Sequence, residues 1–221
     1  MVNRPWFLFF MATAIQFAFN TSYAEKRSNM TMSNIQALSD AEVREIFSAN
    51  MERRKQWLQN YFQGPPVEMQ QFAFLLGEWA TKQRAYDLEG NIINEASGHW
   101  RAKSLVGGRL IMDDFESTLP NGETFSGGTT LRTYSLETER WEMVYLTPLQ
   151  ANLIERFFAH YENGEIHGQA QGKDLEGVEI WAKIRFFNIQ DNSFEWDQHF
   201  SWDAGQTWFK TMTISAKRQQ N

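Results

Sequence analysis

The stretch from Phe194 to Trp208 alternates aromatic and polar residues up to a tight turn and resumes the alternation beyond it. This alternation is typical of a β-hairpin. Short alternating runs separated by Gly, Asn and Asp recur from Trp79 to Lys217, so each strand is expected to pair with its sequence neighbour. We therefore predict a mainly β fold, a closed antiparallel up-and-down barrel of about ten strands, because closure removes exposed sheet edges.

The turn residues divide this region into individual strands. The predicted strands lie near 79–86, 92–104, 109–117, 124–134, 141–147, 152–162, 165–171, 178–189, 194–202 and 206–217. The period of two is predicted to begin at Phe72. A closed sheet of this size is expected to enclose a cavity.

One amphipathic α-helix is predicted before the barrel. Ser39 and Glu42 have the spacing of a capping box, and apolar residues then recur at intervals of three and four up to Phe62. Gly64-Pro65-Pro66 is expected to end the helix. We assign the helix to 39–64 and the barrel domain to 70–217. The helix stripe is expected to pack against its own barrel; the alternatives are docking on a partner or covering a cavity.

The N-terminus has the pattern of a secretory signal peptide over residues 1–24. Arg4 precedes an apolar run that is shorter than the roughly 20 residues needed to span a bilayer, and Ser22-Tyr23-Ala24 follows it. We predict cleavage after Ala24, a flexible leader over 25–38, and export to the periplasm or the exterior without membrane insertion.

The overall charge and the cysteine count exclude several classes of function. The net charge of −6 comes with scattered Lys and Arg, which disfavours nucleic acids and anionic membranes as partners. The chain has no Cys, so disulfides, thiolate metal sites and thiol catalysis are excluded. The fold must be held together by its core.

The segment Ser201-Trp202-Asp203-Ala204-Gly205-Gln206-Thr207-Trp208 resembles the Asp-box of sialidases over eight residues. Asp203 is expected to accept from nearby backbone amides, Gly205 to relieve the turn, and Trp208 to cover it. One copy in a short chain favours a structural role for this motif over a catalytic one.

Large aromatic residues on the predicted inner face are the candidate ligand-binding residues. They are Trp100, Trp141, Trp196, Phe200, Trp202 and Phe209. Pockets are mostly apolar with a few polar groups that fix orientation, but plain core packing is the competing interpretation. A two-residue loop at Ala204-Gly205 is expected to place Phe200 opposite Phe209, Gln198 opposite Thr211, and Trp202 opposite Thr207, unless a bulge shifts the register.

The titratable residues give no convincing catalytic set. An Asn163-Gly164 turn pairs His160 with His167, and two imidazoles do not make a metal site. The group Glu195, Asp197 and His199 is most simply an outer face. Asp113 and Asp114 are expected to point to opposite faces. We assign no catalytic residue, no metal ligand and no cofactor.

Three segments together resemble a known family. They are the run from Phe72 to Trp79, Gly107-Gly108-Arg109-Leu110, and the hairpin from Ser201 to Trp208. Over roughly residues 70–217 the chain is similar to uncharacterised bacterial lipocalin-like, or calycin-like, barrel proteins. The resemblance implies that Trp79 plugs the barrel floor.

Three functional hypotheses follow. The leading one is an exported barrel that binds a small, largely apolar ligand without covalent chemistry. The second is an isomerase-type or hydrolase-type enzyme with Arg109, Asp113, Arg132 or Tyr134 inside the lumen. The third is an interaction protein with a filled barrel. The sequence leaves ligand identity and oligomeric state open.

Overall fold

The computed structural model describes residues 39–147, 154–173 and 177–219. The predicted signal peptide and leader lie outside these ranges. The described chain consists of two units, a helix and a barrel.

Helix α1 extends from Asp40 to Phe62 and begins with the predicted capping box. The Ser39 backbone N–H donates to Glu42 Oε2 at 2.8 Å, and the Glu42 N–H donates to Ser39 Oγ at 3.4 Å. The helix ends before Gly64, whose φ of +102° favours glycine. None of its side chains is buried. Within the described ranges, no helix is long and apolar enough to cross a membrane.

Ten antiparallel strands form the barrel, as the alternation predicted. They are β1 (Gly77–Tyr86), β2 (Ile92–Leu105), β3 (Leu110–Thr118), β4 (Thr124–Ser135), β5 (Arg140–Leu146), β6 (Ile154–Glu162), β7 (Glu165–Lys173), β8 (Glu179–Gln190), β9 (Ser193–Ser201) and β10 (Phe209–Arg218). Each strand pairs with its sequence neighbour, and β1 pairs with β10 to close the sheet. The closed up-and-down barrel is therefore confirmed.

The β6–β7 hairpin has the predicted register. Asn163 and Gly164 have φ values of 52° and 83°, as a type I′ turn requires. His160 lies opposite His167, and Glu162 lies opposite Glu165.

The β9–β10 connection differs from the prediction. Phe200 does lie opposite Phe209, but β9 ends at Ser201 and β10 begins at Phe209. The two-residue loop and the Trp202–Thr207 pair were therefore wrong, because Asp203 uses the amides of the following residues to build a longer turn. A bulge between Lys210 and Met212 then places Gln198 opposite Met212 instead of Thr211.

The segment before β1 is a 3₁₀ helix, Val67–Leu75, which we name the plug helix. The prediction that the period of two begins at Phe72 was wrong, and the first strand begins at Gly77. Met69, Phe72 and Leu75 are buried at a spacing of three residues, which is the repeat of a 3₁₀ helix.

Trp79 joins the plug helix to the barrel. Its side chain is fully buried, and its Nε1–H donates to the Leu75 carbonyl at 2.8 Å. The Arg218 guanidinium lies 4.1 Å from the centre of the Trp79 ring and donates to the carbonyls of Leu76 and Phe74 at 2.7 and 2.9 Å. These contacts fix the plug helix at the end of the barrel where β1 begins.

Candidate functional site

The barrel has two different rims. Because neighbouring strands are antiparallel, the odd-numbered strands begin where the even-numbered strands end. Phe72 contacts the Trp141 ring early in β5 at 4.7 Å, and Phe74 contacts Phe194 early in β9 at 5.4 Å. The plug helix therefore lies at this rim, and the turn between β9 and β10 lies at the opposite one.

A cavity of about 110 Å³ lies in the lumen. Its lining comes from eight of the ten strands and is mostly apolar. The lining residues are Trp100, Asp113, Phe115, Gly128, Thr130, Arg132, Met143, Tyr145, Phe157, Ile184, Phe186, Trp196, Gln198, Met212 and Ile214. The volume is close to that of an engineered cavity of about 150 Å³ that binds benzene, and well below the roughly 300–1,000 Å³ of drug-sized pockets.

Three residues in the lining form a charged cluster. Arg132 on β4 pairs with the Asp113 carboxylate on β3, and both side chains are 3% exposed. Trp100 on β2 donates from Nε1 to Asp113 Oδ1 at 2.8 Å. The carboxylate therefore bridges a guanidinium and an indole inside the lumen.

The environment of Arg132 is mostly aromatic. Its guanidinium carbon lies 5.1 Å from the Phe72 ring centre and 5.9 Å from that of Phe186. Burial lowers the pKa of Arg132 to about 9 by penalising the charged form, so the side chain is still protonated at neutral pH. Among the buried side chains that the structure describes, Arg132 Nε has no hydrogen-bond partner, and Arg132 Nη1 and Asp113 Oδ2 have only each other, in the ion pair.

A second group, the neutral cluster, lies inside the barrel on β1 and β3. It consists of Thr81, Gln83 and Ser117, all at most 3% exposed. Ser117 Oγ donates to Gln83 Oε1 at 2.9 Å, and Gln83 Nε2 donates to Thr81 Oγ1 at 3.3 Å. These residues satisfy one another and do not line the cavity.

The structure brings two of the six predicted ligand-binding residues to the cavity. Trp100 and Trp196 line it. Trp141 is fully buried at the plug rim, where its Nε1–H donates to Gln71 Oε1 at 2.9 Å. Phe200 is buried away from the cavity lining. Whether any of them contacts a ligand stays a prediction.

The other two predicted residues lie at the opposite rim. Trp202 is 39% exposed, and its ring contacts Phe200 and half-buried Phe209 at 6.1 and 6.0 Å between centres. They form an aromatic group beside the Asp-box turn.

The Asp-box shows the predicted hydrogen bonds from backbone amides to Asp203, within a turn longer than the predicted one. Asp203 Oδ1 accepts from the amides of Gln206 and Thr207 at 3.0 and 2.8 Å and from Ser201 Oγ at 2.7 Å. These bonds, chiefly that from the Thr207 amide, lower the pKa of Asp203 to about 2. Trp208 Nε1 donates to the Gly205 carbonyl at 2.9 Å.

The histidines and the outer carboxylates lie away from the cavity. His160 and His167 are exposed. Asp197 pairs with Arg185 at 2.7 Å, and burial lowers the pKa of His199. Within the described ranges, no group of three His, Asp or Glu side chains could hold a metal ion.

The carboxylates of Asp113 and Asp114 separate as the strand period predicts. Asp113 lies in the lumen, whereas Asp114 pairs with Arg101 on the outside at 2.6 Å. Of the four lumen candidates, Asp113 and Arg132 line the cavity, and Arg109 and Tyr134 do not. Sequence reasoning missed the ion pair, because Asp113 and Arg132 are diagonal neighbours on β3 and β4. It also missed the role of Arg218, because its partners Phe74 and Leu76 are far from it in the sequence.

Two solved structures are similar to this chain. Rv2717c from M. tuberculosis matches with a TM-score of 0.50 at 14% identity, over 71% of this chain and 99% of that chain. The S-type phycobiliprotein lyase CPES from Guillardia theta matches with a TM-score of 0.48 at 11% identity, over 71% and 99%. The first likeness supports a lipocalin-like barrel fold and nothing beyond the fold. No protein-family model and no curated protein matches the chain.

Proposed function

We propose that this protein binds a small, largely apolar ligand non-covalently in the barrel lumen. The observation that carries the proposal is the cavity, which is lined by Trp100, Trp196 and the buried Arg132–Asp113 pair. Apolar walls with a few polar groups that fix orientation are the usual composition of a ligand pocket. At about 110 Å³ the cavity suits a ligand near the size of benzene.

Binding is favoured over catalysis by the state of the polar groups. Asp113 already accepts from Trp100 Nε1 and is paired with Arg132, so its carboxylate oxygens are already occupied by groups of the protein. A general base must instead be within reach of a substrate proton and have a pKa near the working pH. The charged cluster therefore suits the recognition of a ligand better than proton transfer.

Native mass spectrometry of the mature protein, purified from its own compartment, tests this proposal. We expect one discrete small molecule to be released on denaturation, and benzene added to the emptied protein to shift the indole N–H resonances of Trp100 and Trp196. Ile184→Phe places a ring in the cavity and should weaken both effects at least tenfold. Ile93→Phe makes the same change at an exposed position and should leave them unchanged.

A clean apoprotein mass together with no response to benzene would argue for the filled-barrel interaction protein. Loss of binding in both variants would show that the added ring acts through stability rather than through the cavity. Thermal unfolding of each variant separates these causes.

We also propose that the chain is exported after cleavage behind Ala24. The support is the order of the N-terminal residues: the basic residue Arg4 comes first, an apolar run follows, and small residues precede the cleavage site. The intact mass of the protein from a fractionated culture tests it, and an uncleaved cytoplasmic mass would contradict it.

A further inference from the structure

One hydrogen-bond donor in the cavity lining has no acceptor in the part of the chain that the structure describes. Arg132 is 3% exposed and lines the cavity, and its Nε–H has no partner among the described residues. The Nη1 atom of the same guanidinium is paired with Asp113 Oδ2 in the ion pair. A buried donor without an acceptor is unfavourable, so a ligand that supplies an acceptor at Nε gains binding free energy from it.

The charges in the lining restrict what that acceptor can be. Among the described residues that line the cavity, Arg132 and Asp113 are the charged ones, and they balance. A carboxylate or phosphate ligand adds a second negative charge against one positive charge, in a site removed from water. Uncompensated buried charge is strongly unfavourable, whereas a neutral acceptor adds none.

The rest of the cavity lining is mostly apolar, so it can contact the hydrocarbon part of a ligand. Phe115, Phe157 and Phe186 together with Trp100 and Trp196 supply aromatic walls. We infer that the ligand is a small neutral carbonyl compound, a ketone, ester or amide, whose oxygen accepts from Arg132 Nε–H while its hydrocarbon part contacts the aromatic walls. This inference rests on the proposed function, because it specifies the ligand of the same cavity.

Three probes of one shape test the inference on the mature chain. 2,3-Dimethylbutane, 3-methyl-2-butanone and isobutyrate have the same branched skeleton and as many non-hydrogen atoms as benzene. They differ in being apolar, neutral with an acceptor, and anionic. Titrations at pH 7 are followed by the NMR resonances of Arg132 Nε–H and Trp100 Nε1–H. We expect the ketone to bind about tenfold more tightly than either of the others, and to shift Arg132 Nε–H.

Removal of the negative charge should reverse the preference. Asp113→Asn keeps an oxygen for Trp100 Nε1 but leaves the Arg132 charge unbalanced, so isobutyrate should then bind about tenfold more tightly than the ketone. Asp114→Asn is the matched control, since it removes the neighbouring carboxylate on the outside of the same strand and should change no preference. If Asp113→Asn does not fold, Arg132→Lys serves instead. It keeps the charge and removes the Nε donor, so the advantage of the ketone over the alkane should fall about tenfold.

The outcomes separate the inference from the proposed function. Isobutyrate binding to the wild type as tightly as the ketone overturns ligand neutrality. Equal binding of ketone and alkane, with Arg132 Nε–H unshifted, overturns the role of the acceptor while the cavity still binds ligands. Failure of all three probes, the alkane included, contradicts the proposed function itself.

Discussion

The two polar clusters inside the barrel differ in how fully their hydrogen-bonding groups are paired. In the neutral cluster, Ser117 donates to Gln83 and Gln83 donates to Thr81, so the buried side chains are hydrogen-bonded to one another. In the charged cluster, Arg132 and Asp113 balance in charge, but the Nε–H of Arg132 has no acceptor among the described residues. The difference indicates that the first cluster fills the barrel and that the second has bonding capacity for a ligand.

The surroundings of the two clusters agree with this division. A Cβ atom at Gly98 would lie 2.0 Å from the Glu116 carbonyl oxygen and 2.6 Å from Gln83 Nε2. The neutral cluster therefore lies where the chain is packed as closely as glycine permits. The charged cluster lies beside a cavity of about 110 Å³. Polar groups in the lumen are thus divided between a filled side and an open side.

Breaking the charged cluster should have the largest effect. Arg132→Met leaves the Asp113 carboxylate buried without its cation, and we expect a loss of about 3–5 kcal/mol in the free energy of unfolding. Urea unfolding with an unchanged slope measures it. The double variant with Asp113→Asn removes both charges, keeps an acceptor for Trp100, and should recover most of the loss.

A loss below about 1 kcal/mol in Arg132→Met would match an exposed ion pair and contradict the burial of Arg132 and Asp113. Failure of the double variant to recover would show that the guanidinium stabilises the barrel through its aromatic contacts rather than through Asp113.

Breaking the neutral cluster should have a smaller effect. Gln83→Met preserves the approximate shape but leaves the Ser117 hydroxyl without its acceptor, at a cost of about 1–3 kcal/mol. Adding Ser117→Ala should restore most of the stability, because the unpaired hydroxyl is then gone. The affinity for 3-methyl-2-butanone should not change in either variant, since neither residue lines the cavity. A change in that affinity would contradict the division between a filled side and an open side.

Most of the barrel could be predicted because each strand is marked in the sequence by its own alternation and turn residues. Residues such as Trp100 and Met143 lie on the inner side of a clear alternation, and Asn163-Gly164 specifies its turn through positive φ values. Local periodicity and turn chemistry suffice where each strand pairs with its neighbour.

The errors arose where local geometry departs from the strand period. The three-residue spacing of Met69, Phe72 and Leu75 was present in the sequence, yet a short apolar run before a strand is easily taken as its beginning. At the β9–β10 turn, a bulge near Thr211 moved the register by one residue. A bulge depends on twist and closure of the whole sheet, which the sequence of one hairpin does not specify.

Two of the six aromatic residues predicted to bind a ligand line the cavity, but the arrangement of its polar groups was not predicted. Trp100 and Trp196 were expected to line a cavity, and Asp113 and Arg132 were named as lumen candidates, but not as a pair. Their contact is diagonal: Ile111 lies opposite Arg132, and Asp113 lies opposite Thr130. The pairing of β3 with β4 also contains a bulge between Phe115 and Glu116, so the contact follows from a register that alternation alone does not determine.

The Asp-box turn extends the comparison to a carboxylate at the surface, where the smallest effect is expected. Asp203 is exposed, and its pKa of about 2 lies below its ordinary value, so its hydrogen bonds stabilise the fold above about pH 4. This contribution is lost as the pH falls through about 2, because the folded-state carboxylate is then protonated. Asp203→Asn should lower Tm by a few degrees at pH 7, and the difference from wild type should shrink between about pH 4 and 2.

Circular dichroism melts across this pH range measure the effect, and Glu89→Gln, at another exposed turn, controls for the loss of one charge. A difference in Tm that stays constant down to pH 2 would mean that Asn fails in the turn for reasons of shape. Affinity for 3-methyl-2-butanone should be the same in Asp203→Asn as in wild type, because Asp203 does not line the cavity. If it falls, the aromatic group of Phe200, Trp202 and Phe209 beside the turn controls access to the lumen, and the open side of the barrel extends to that rim.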